Sequence, residues 1–252
     1  MKRTPSRSAV PRASWDRGGA QVVSVLAEDP DLGGTVAGDR AVGALEAAWA
    51  CVVDLAPGVW QPDGWPTAIT NGFGLLVLDG LLLRHVRLGA HSGVEPLSSG
   101  DLLRPWDGED AAGSVAREPH WEVLKPSRLA VLDIEFARRV SVFPEIAGQL
   151  VGRALRRSRW FAVNIAIVQQ PTVEARLHML LWHLADRWGT VRRGGVIVPI
   201  VLPHAVLAAL VAARRPTVTT ALAALEREGR LTRTSTGWVL HGPPPGALQT
   251  IA

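Results

Sequence analysis

From position 145 to position 170 the chain contains no proline, and apolar residues recur there at helical spacing. Phe143, Ala147, Leu150, Ala154, Phe161, Ile165 and Val168 fall three, four or seven residues apart, which predicts one helix from Phe143 to Val168. Such a helix has about seven turns. A small domain cannot cover an apolar stripe of that length. A second copy of the chain, packed about a two-fold axis, covers it directly. Phe143, Ala147, Leu150, Ala154, Phe161 and Ile165 are therefore the expected dimerisation face, although packing back onto the preceding domain would also cover part of it. A basic cluster, Arg156, Arg157 and Arg159, interrupts the pattern.

The two sides of this helix differ in kind. Before it, residues 41–137 alternate short apolar segments with Gly and Pro punctuation, at APG 56–58, DGWP 63–66, NGFG 71–74 and SSGD 98–101. GLLVL and LLLRHVRLG read as two strands joined by a hairpin turn at Asp79–Gly80, residues that tolerate positive φ. WEV at 121–123 and LAVLDI at 129–134 read as further strands. Many short strands with Gly-rich turns favour a barrel or sandwich over an alternating α/β fold.

After it the reading is helical, with Pro171 as the break. Thr172 is placed to cap a helix over VEARLHMLLWHLADRW, whose buried face is Leu177, Leu180, Leu181 and Leu184 and whose stop is Gly189. A Gly194–Gly195 turn precedes a short strand, VIVPIV. Pro203 opens a short helix, HAVLAALVA, and a turn near 212–214 leads to RRPTVTTALAALEREGRL. Leu207 and Leu210 of the first short helix and Val218, Leu222 and Leu225 of the second make a small common core. LTRTSTGWVL closes the module as a hairpin.

The second short helix opens on Arg215, Thr217, Thr219 and Thr220, a run of small hydroxyl residues behind a basic start. The major groove is about 12 Å wide, so small side chains let a helix approach it, while an Arg can fork onto guanine and a Thr can touch a thymine methyl or a phosphate. Charge agrees. Residues 1–137 hold 12 Lys/Arg against 18 Asp/Glu, and residues 138–252 hold 15 Arg against 5 Asp/Glu. A basic second half points to an anionic partner. The other reading is a protein-interaction scaffold, which leaves Arg215 and the charge asymmetry unexplained.

These segments resemble the Crp/Fnr family of bacterial transcription regulators over about 171–241. The segment GLLVLDGLLLRHV with SSGDLLRPW resembles the central strands and Gly-Asp turn of that family's β-roll. The resemblance implies an α+β fold: a cyclic-nucleotide-binding-like β-roll (a double-stranded β-helix) over 21–135, a dimerisation helix over 136–170 and a winged helix-turn-helix over 171–242. Tails at 1–20 and 243–252 are expected to lack regular structure. It also implies double-stranded DNA and a second copy as partners, with RNA polymerase as a further candidate, and a cytoplasmic, non-enzymatic role. The family's base-reading Arg falls on Arg215 and its phosphate-touching Thr on Thr217. Its acidic residue is Pro216 here, a second base-reading Arg is Thr220, and the capping Ser is Arg214. Pro203 and Ala205 replace polar residues of the preceding helix. Backbone affinity must then lean on Arg192, Arg193, Arg214 and Arg233.

A cyclic-nucleotide site in that family uses Gly-Glu followed by Arg-Ser or Arg-Thr. Here Gly108–Glu109 is followed by Arg117–Glu118, a like charge for phosphate, and the alternative Arg104 sits in a bulky LLRPW context. No cofactor is expected, and cAMP binding is disfavoured. His85, His91 and His120 lack metal-ligand spacing. Cys51 is the single cysteine, so it forms no internal disulfide. Trp60, Trp65, Trp106 and Trp121 read as core or as the lining of an apolar cavity. No P-loop, H-E-x-x-H or G-x-S-x-G motif is present. No run of 18 uncharged apolar residues suggests a membrane span, and the basic N-terminus lacks the apolar stretch of a signal peptide.

Overall fold

The computed structural model describes residues 21–89, 91–106 and 118–246. The expected tail at 1–20, the Gly108–Glu109 pair, Arg117 and residues 247–252 lie outside the described residues. The chain divides into two compact units, Met1–Arg157 and Ser158–Ala252.

The first unit is an antiparallel sheet domain flanked by short helices. Its strands are β1 (Val22–Ser24), β2 (Trp49–Leu55), β3 (Gly58–Trp60), β4 (Gly74–Leu88), β5 (His91–Ser98), β6 (Leu102–Leu103) and β7 (Glu118–Leu132). They form one seven-stranded sheet in the order β1-β2-β7-β4-β5, with β3 also on β7 and β6 on β4. Strand alternation makes two cores from it. Leu75, Val77, Leu129 and Val131 face one way, into a core with Trp60, Leu82, Leu97, Trp121 and Val123. Leu76, Ala130 and Leu132 face the other way. They pack against α1 (Val25–Glu28), α2 (Ala41–Ala47), α4 (Ile134–Val140) and the start of α5 (Pro144–Val168). The remaining helices of this unit among the described residues are α3 (Thr67–Thr70) and a 3-10 turn at Pro30–Leu32.

Two strand expectations need correction. Asp79–Gly80 is not a hairpin turn, because β4 runs through it for 15 residues. The register against β7 shifts between Val77 and Leu82 instead, which is a bulge. Gly80 has φ +114°, and a Cβ there would lie 2.2 Å from Ser127 Oγ. The Leu81 N–H left over by the bulge is taken by buried Ser127 Oγ at 3.2 Å. WEV and LAVL are likewise parts of the single strand β7. That strand ends at Leu132, and the Asp133 side chain accepts from Phe136 N at 2.8 Å to cap α4. The SSGD segment is a turn: Ser98 N donates to Asp101 Oδ2 at 2.9 Å, and Gly100 has φ +86°.

The long helix exists as α5, 25 residues from Pro144 to Val168. Its buried phase differs from the expected one at the start. Phe143 (8% exposed) and Leu150 (1%) belong to the first unit's core, whereas Val151 (57%), Leu155 (53%), Phe161 (38%) and Ile165 (60%) are exposed. Ala147 is half-buried and Ala154 exposed. Phe143 and Leu150 are therefore unavailable to a partner, because the sheet domain already covers them. Two arginines one turn apart, Arg153 and Arg157, tie α5 to the β5–β6 turn: Arg153 pairs with Asp29 and donates to Gly100 O, while Arg157 pairs with Glu95 and donates to Leu102 O.

The second unit contains α6 (Val173–Trp188), β8 (Thr190–Arg192), β9 (Gly195–Val198), α7 (His204–Leu210), α8 (Arg215–Arg227), β10 (Leu231–Arg233) and β11 (Trp238–Leu240). Thr172 caps α6 by accepting from Ala175 N at 3.2 Å, and Leu177, Leu180, Leu181 and Leu184 are buried. The four strands form one antiparallel sheet in the order β10-β11-β9-β8. Helices α7 and α8 meet at 96°, within the range of a helix-turn-helix. Leu207, Leu210, Val218, Leu222 and Leu225 are all buried, as their spacing predicted. No single helix among the described residues is long and apolar enough to cross a membrane.

Candidate nucleic-acid interface

Helix α8 is two-faced. Val218, Ala221, Leu222 and Leu225 are buried, while Arg214, Arg215, Pro216, Thr217, Thr219 and Thr220 are exposed. The burial of the first set follows from the 3.6-residue repeat, and it leaves the opening turn facing outward. Arg214 takes the N-cap position in an extended conformation and its side chain makes no capping bond. The first N–H groups of α8 thus lack the usual hydroxyl partner. The far end closes on Gly229 at φ +67°, with Arg230 N donating to Leu225 O at 3.0 Å, a Schellman stop.

The threonines are not equivalent. Thr219 Oγ1 donates to Arg215 O at 3.1 Å and Thr220 Oγ1 to Pro216 O at 3.3 Å. Both hydroxyls thus lie against the helix's own carbonyls, which leaves the methyl groups free to face outward. Thr217 and Arg215 carry no hydrogen bond or ion pair of the side chain among the described residues. Arg215, like Arg214, is thus a long, unengaged cation of the face.

His204, the first residue of α7, joins this face: its Nδ1 lies 2.9 Å from Thr219 Oγ1. Burial first, then the like charges of Arg233 and Arg215, hold the His204 ring below the usual histidine pKa, with Glu226 acting in the opposite sense. The sequence reading missed this residue. Its only signal is position, at the start of the helix that crosses α8.

Among the arginines expected at the backbone, the structure separates two groups. Arg233 lies on β10 with its guanidinium 5.8 Å from the Trp238 ring, on the same side as Arg215, since both bear on His204. Arg192 and Arg193 are exposed at the β8–β9 hairpin. Register places that hairpin beside Leu240, because Val196 pairs with Leu240 and Val198 with Trp238. His241 Nδ1 meets Gly194 O at 2.9 Å there. The wing turn, Thr234 to Gly237, is at the other end of the same strands. Arg192 and Arg193 therefore sit at the opposite end of this sheet from Arg233.

In the first unit, the alternative phosphate residue Arg104 is engaged structurally, donating to Gly72 O and Thr70 O. Trp60 and Trp121 stack edge to face at 5.6 Å and are buried, and Trp65 and Trp106 pack at 5.9 Å beside them. His85 pairs with Glu122 at 3.3 Å and its ring is 5.7 Å from that of His120. Among the described residues no group of three or more His, Cys, Asp and Glu is arranged to hold a metal ion. Cys51 is a half-buried thiol on β2.

Residues 175–244 match the family described as the Crp-like helix-turn-helix domain. Among solved structures, a cyclic nucleotide-binding domain containing protein from Listeria monocytogenes EGD-e is similar at 17% identity and TM-score 0.57, over 75% of this chain and 88% of that one. FixK2 from Bradyrhizobium japonicum is similar at 13% identity and TM-score 0.55, over 77% and 93%. A CRP-family transcriptional regulator from Thermus thermophilus is similar at 21% identity and TM-score 0.50, over 75% and 92%. No curated protein matches the sequence.

Proposed function

We propose that this chain, which has the fold of the Crp/Fnr regulators and a Crp-like helix-turn-helix domain at residues 175–244, is a transcription regulator that reads DNA with helix α8. The observation that carries this reading is the exposed opening turn of α8. It pairs small residues and unengaged Arg215 with Arg233 on one side, over a fully buried helix-turn-helix core. Arg215 and Thr217 contact base edges, with the methyl groups of Thr219 and Thr220 beside them. Arg214 and Arg233 contact phosphates. Because Pro216 and Thr220 stand where the family carries an acidic residue and an Arg, the operator differs from the one those members read.

The chain acts as a homodimer in the cytoplasm. Val151, Ala154, Leu155, Phe161 and Ile165 form an apolar stripe along α5 that a second α5 covers. Two reading helices in a two-fold dimer meet half-sites about 34 Å apart, so the operator is a near-palindrome. RNA polymerase is a candidate partner at the promoter. Neither a cofactor nor an effector is assigned, and the engagement of Arg104 removes one of the two candidates for a cyclic-nucleotide phosphate. The test is selection of bound duplexes from a random pool. The expected product is a near-palindromic site. Recovery of unrelated sequences, with no salt-dependent binding, would favour the protein-interaction role instead.

A further inference from the structure

His204 sits between the two helices of the motif in a way that constrains its protons. Thr219 Oγ1 has one hydrogen and donates it to Arg215 O at 3.1 Å. With that hydrogen on Arg215 O, the contact of His204 Nδ1 with the same oxygen at 2.9 Å runs from Nδ1–H to an oxygen lone pair, the arrangement taken in this proposal. In the neutral ring this leaves Nε2 bare, with no hydrogen-bond partner among the described residues. The charged groups that face the ring are Arg215 and Glu226 from α8 and Arg233 from β10, a net positive surrounding. That surrounding opposes a second proton while the protein is free, as does burial. A DNA backbone reverses the balance. It carries one negative charge per about 1.7 Å of duplex, offsets both arginines, and offers oxygen acceptors to an Nε2–H donor.

We propose that His204 is a phosphate-contacting residue of the interface, that its Nε2 takes up a proton as the duplex docks, and that DNA affinity therefore strengthens as the pH falls from 8 towards 6. The inference rests on the reading of α8 as the DNA-facing helix. His204 also positions that helix's surface, since its Nδ1–H holds Thr219 in one rotamer. The remaining histidines of the unit do not mimic the effect. His241 has both ring nitrogens engaged, with Thr232 Oγ1 and Gly194 O at the opposite end of the sheet. His178 and His183 are buried. Protonating them would loosen the domain and weaken binding, the opposite sign.

The test measures affinity at constant ionic strength from pH 8 to pH 6. The probes are the duplex selected by the full chain and a scrambled duplex of the same length. The wild type should bind both roughly three- to sixfold tighter per half-site at the lower pH, short of the full tenfold that one unit of pKa rise on docking gives, because the window does not extend below the titration of the free ring. His204→Gln keeps a hydrogen-bonding side chain and should bind with no such pH dependence. His204→Arg, permanently charged, should show no pH dependence and should match the low-pH wild type. A wild type that binds DNA equally at both pH values overturns the proposal, as does a His204→Gln variant that keeps the full effect. Tightening on the selected duplex alone would overturn the phosphate assignment. Failure to bind any duplex at either pH refutes the DNA reading itself and is thereby distinguished.

Discussion

Arg233→Ala and the double change Arg192→Ala with Arg193→Ala remove exposed cations from one four-stranded sheet, yet they should affect DNA binding differently. Arg233 pairs with Trp238, three residues (about 10 Å) from His241 beside the β8–β9 hairpin, and β10 lies three strand spacings (about 14 Å) from β8, so the two sites are about 17 Å apart. The Debye length is about 10 Å at 0.1 M salt. A charge at the hairpin is therefore screened from a backbone that lies against the wing. One lost phosphate contact lowers the slope of log affinity against log salt by about 0.9. Between about 50 and 200 mM salt, a fourfold range, the wild type's advantage over Arg233→Ala should then shrink about 3.5-fold per half-site. Fluorescence anisotropy with a labelled duplex, repeated at four or more salt concentrations, resolves such a slope. The Arg192/Arg193 variant should keep the wild-type slope. The reasoning is refuted if that variant loses about one or more counterions while Arg233→Ala loses none.

Acid should destabilise the second unit. Burial holds His178 and His183 below the usual histidine range, and Trp182 Nε1 donates to His178 Nε2 at 3.1 Å, a bond that the protonated ring cannot accept. The unfolded chain therefore binds protons first, so stability is unaffected above about pH 6.5 and falls below it by up to ~1.4 kcal/mol per pH unit per ring. Urea denaturation at pH 7.5 and 5 checks this, and an unchanged midpoint would contradict it. Leu155→Glu should weaken self-association by roughly 100-fold, since two copies lose about 1 kcal/mol of burial each and gain facing carboxylates. Sedimentation across micromolar concentrations reads the result, and a dimer as tight as the wild type would exclude this stripe. Ala212, the one described non-glycine residue at positive φ (49°), ends α7 with Ala213 N donating to Ala208 O. Ala212→Gly should stabilise by roughly 0.5–1 kcal/mol by removing the strain of an alanine there, and a lowered thermal midpoint would argue against it.

Most of the second unit was legible because its signals are local. Thr172 caps a helix whose leucines follow at helical spacing, and Gly194–Gly195 marks a turn that needs no distant partner. The five core residues of the helix-turn-helix could be named from periodicity alone. The first unit hid more, because its decisions are made across the sheet. Gly80 is a turn residue by composition, but Ser127, 47 positions away in sequence, supplies the hydrogen bond that lets β4 continue. On α5 two apolar phases coexist, Phe143/Leu150 and Val151/Leu155, and only the sheet domain's own packing shows which is taken. The arginines carry no label for the end of a sheet they occupy. Register alone separated Arg233 from Arg192 and Arg193. His204 was invisible because its role depends on a neighbour 15 residues on.

The most direct test of DNA reading by α8 compares wild type and Arg215→Ala on the duplex selected by the wild type and on a scrambled duplex. Measurements at one fixed salt concentration suffice. Arg215→Ala should lose roughly 1–3 kcal/mol per half-site on the selected duplex and far less on the scrambled one, flattening preference at one base pair of each half-site. Full retention of that preference by the variant would contradict the claim that this helix reads bases through Arg215.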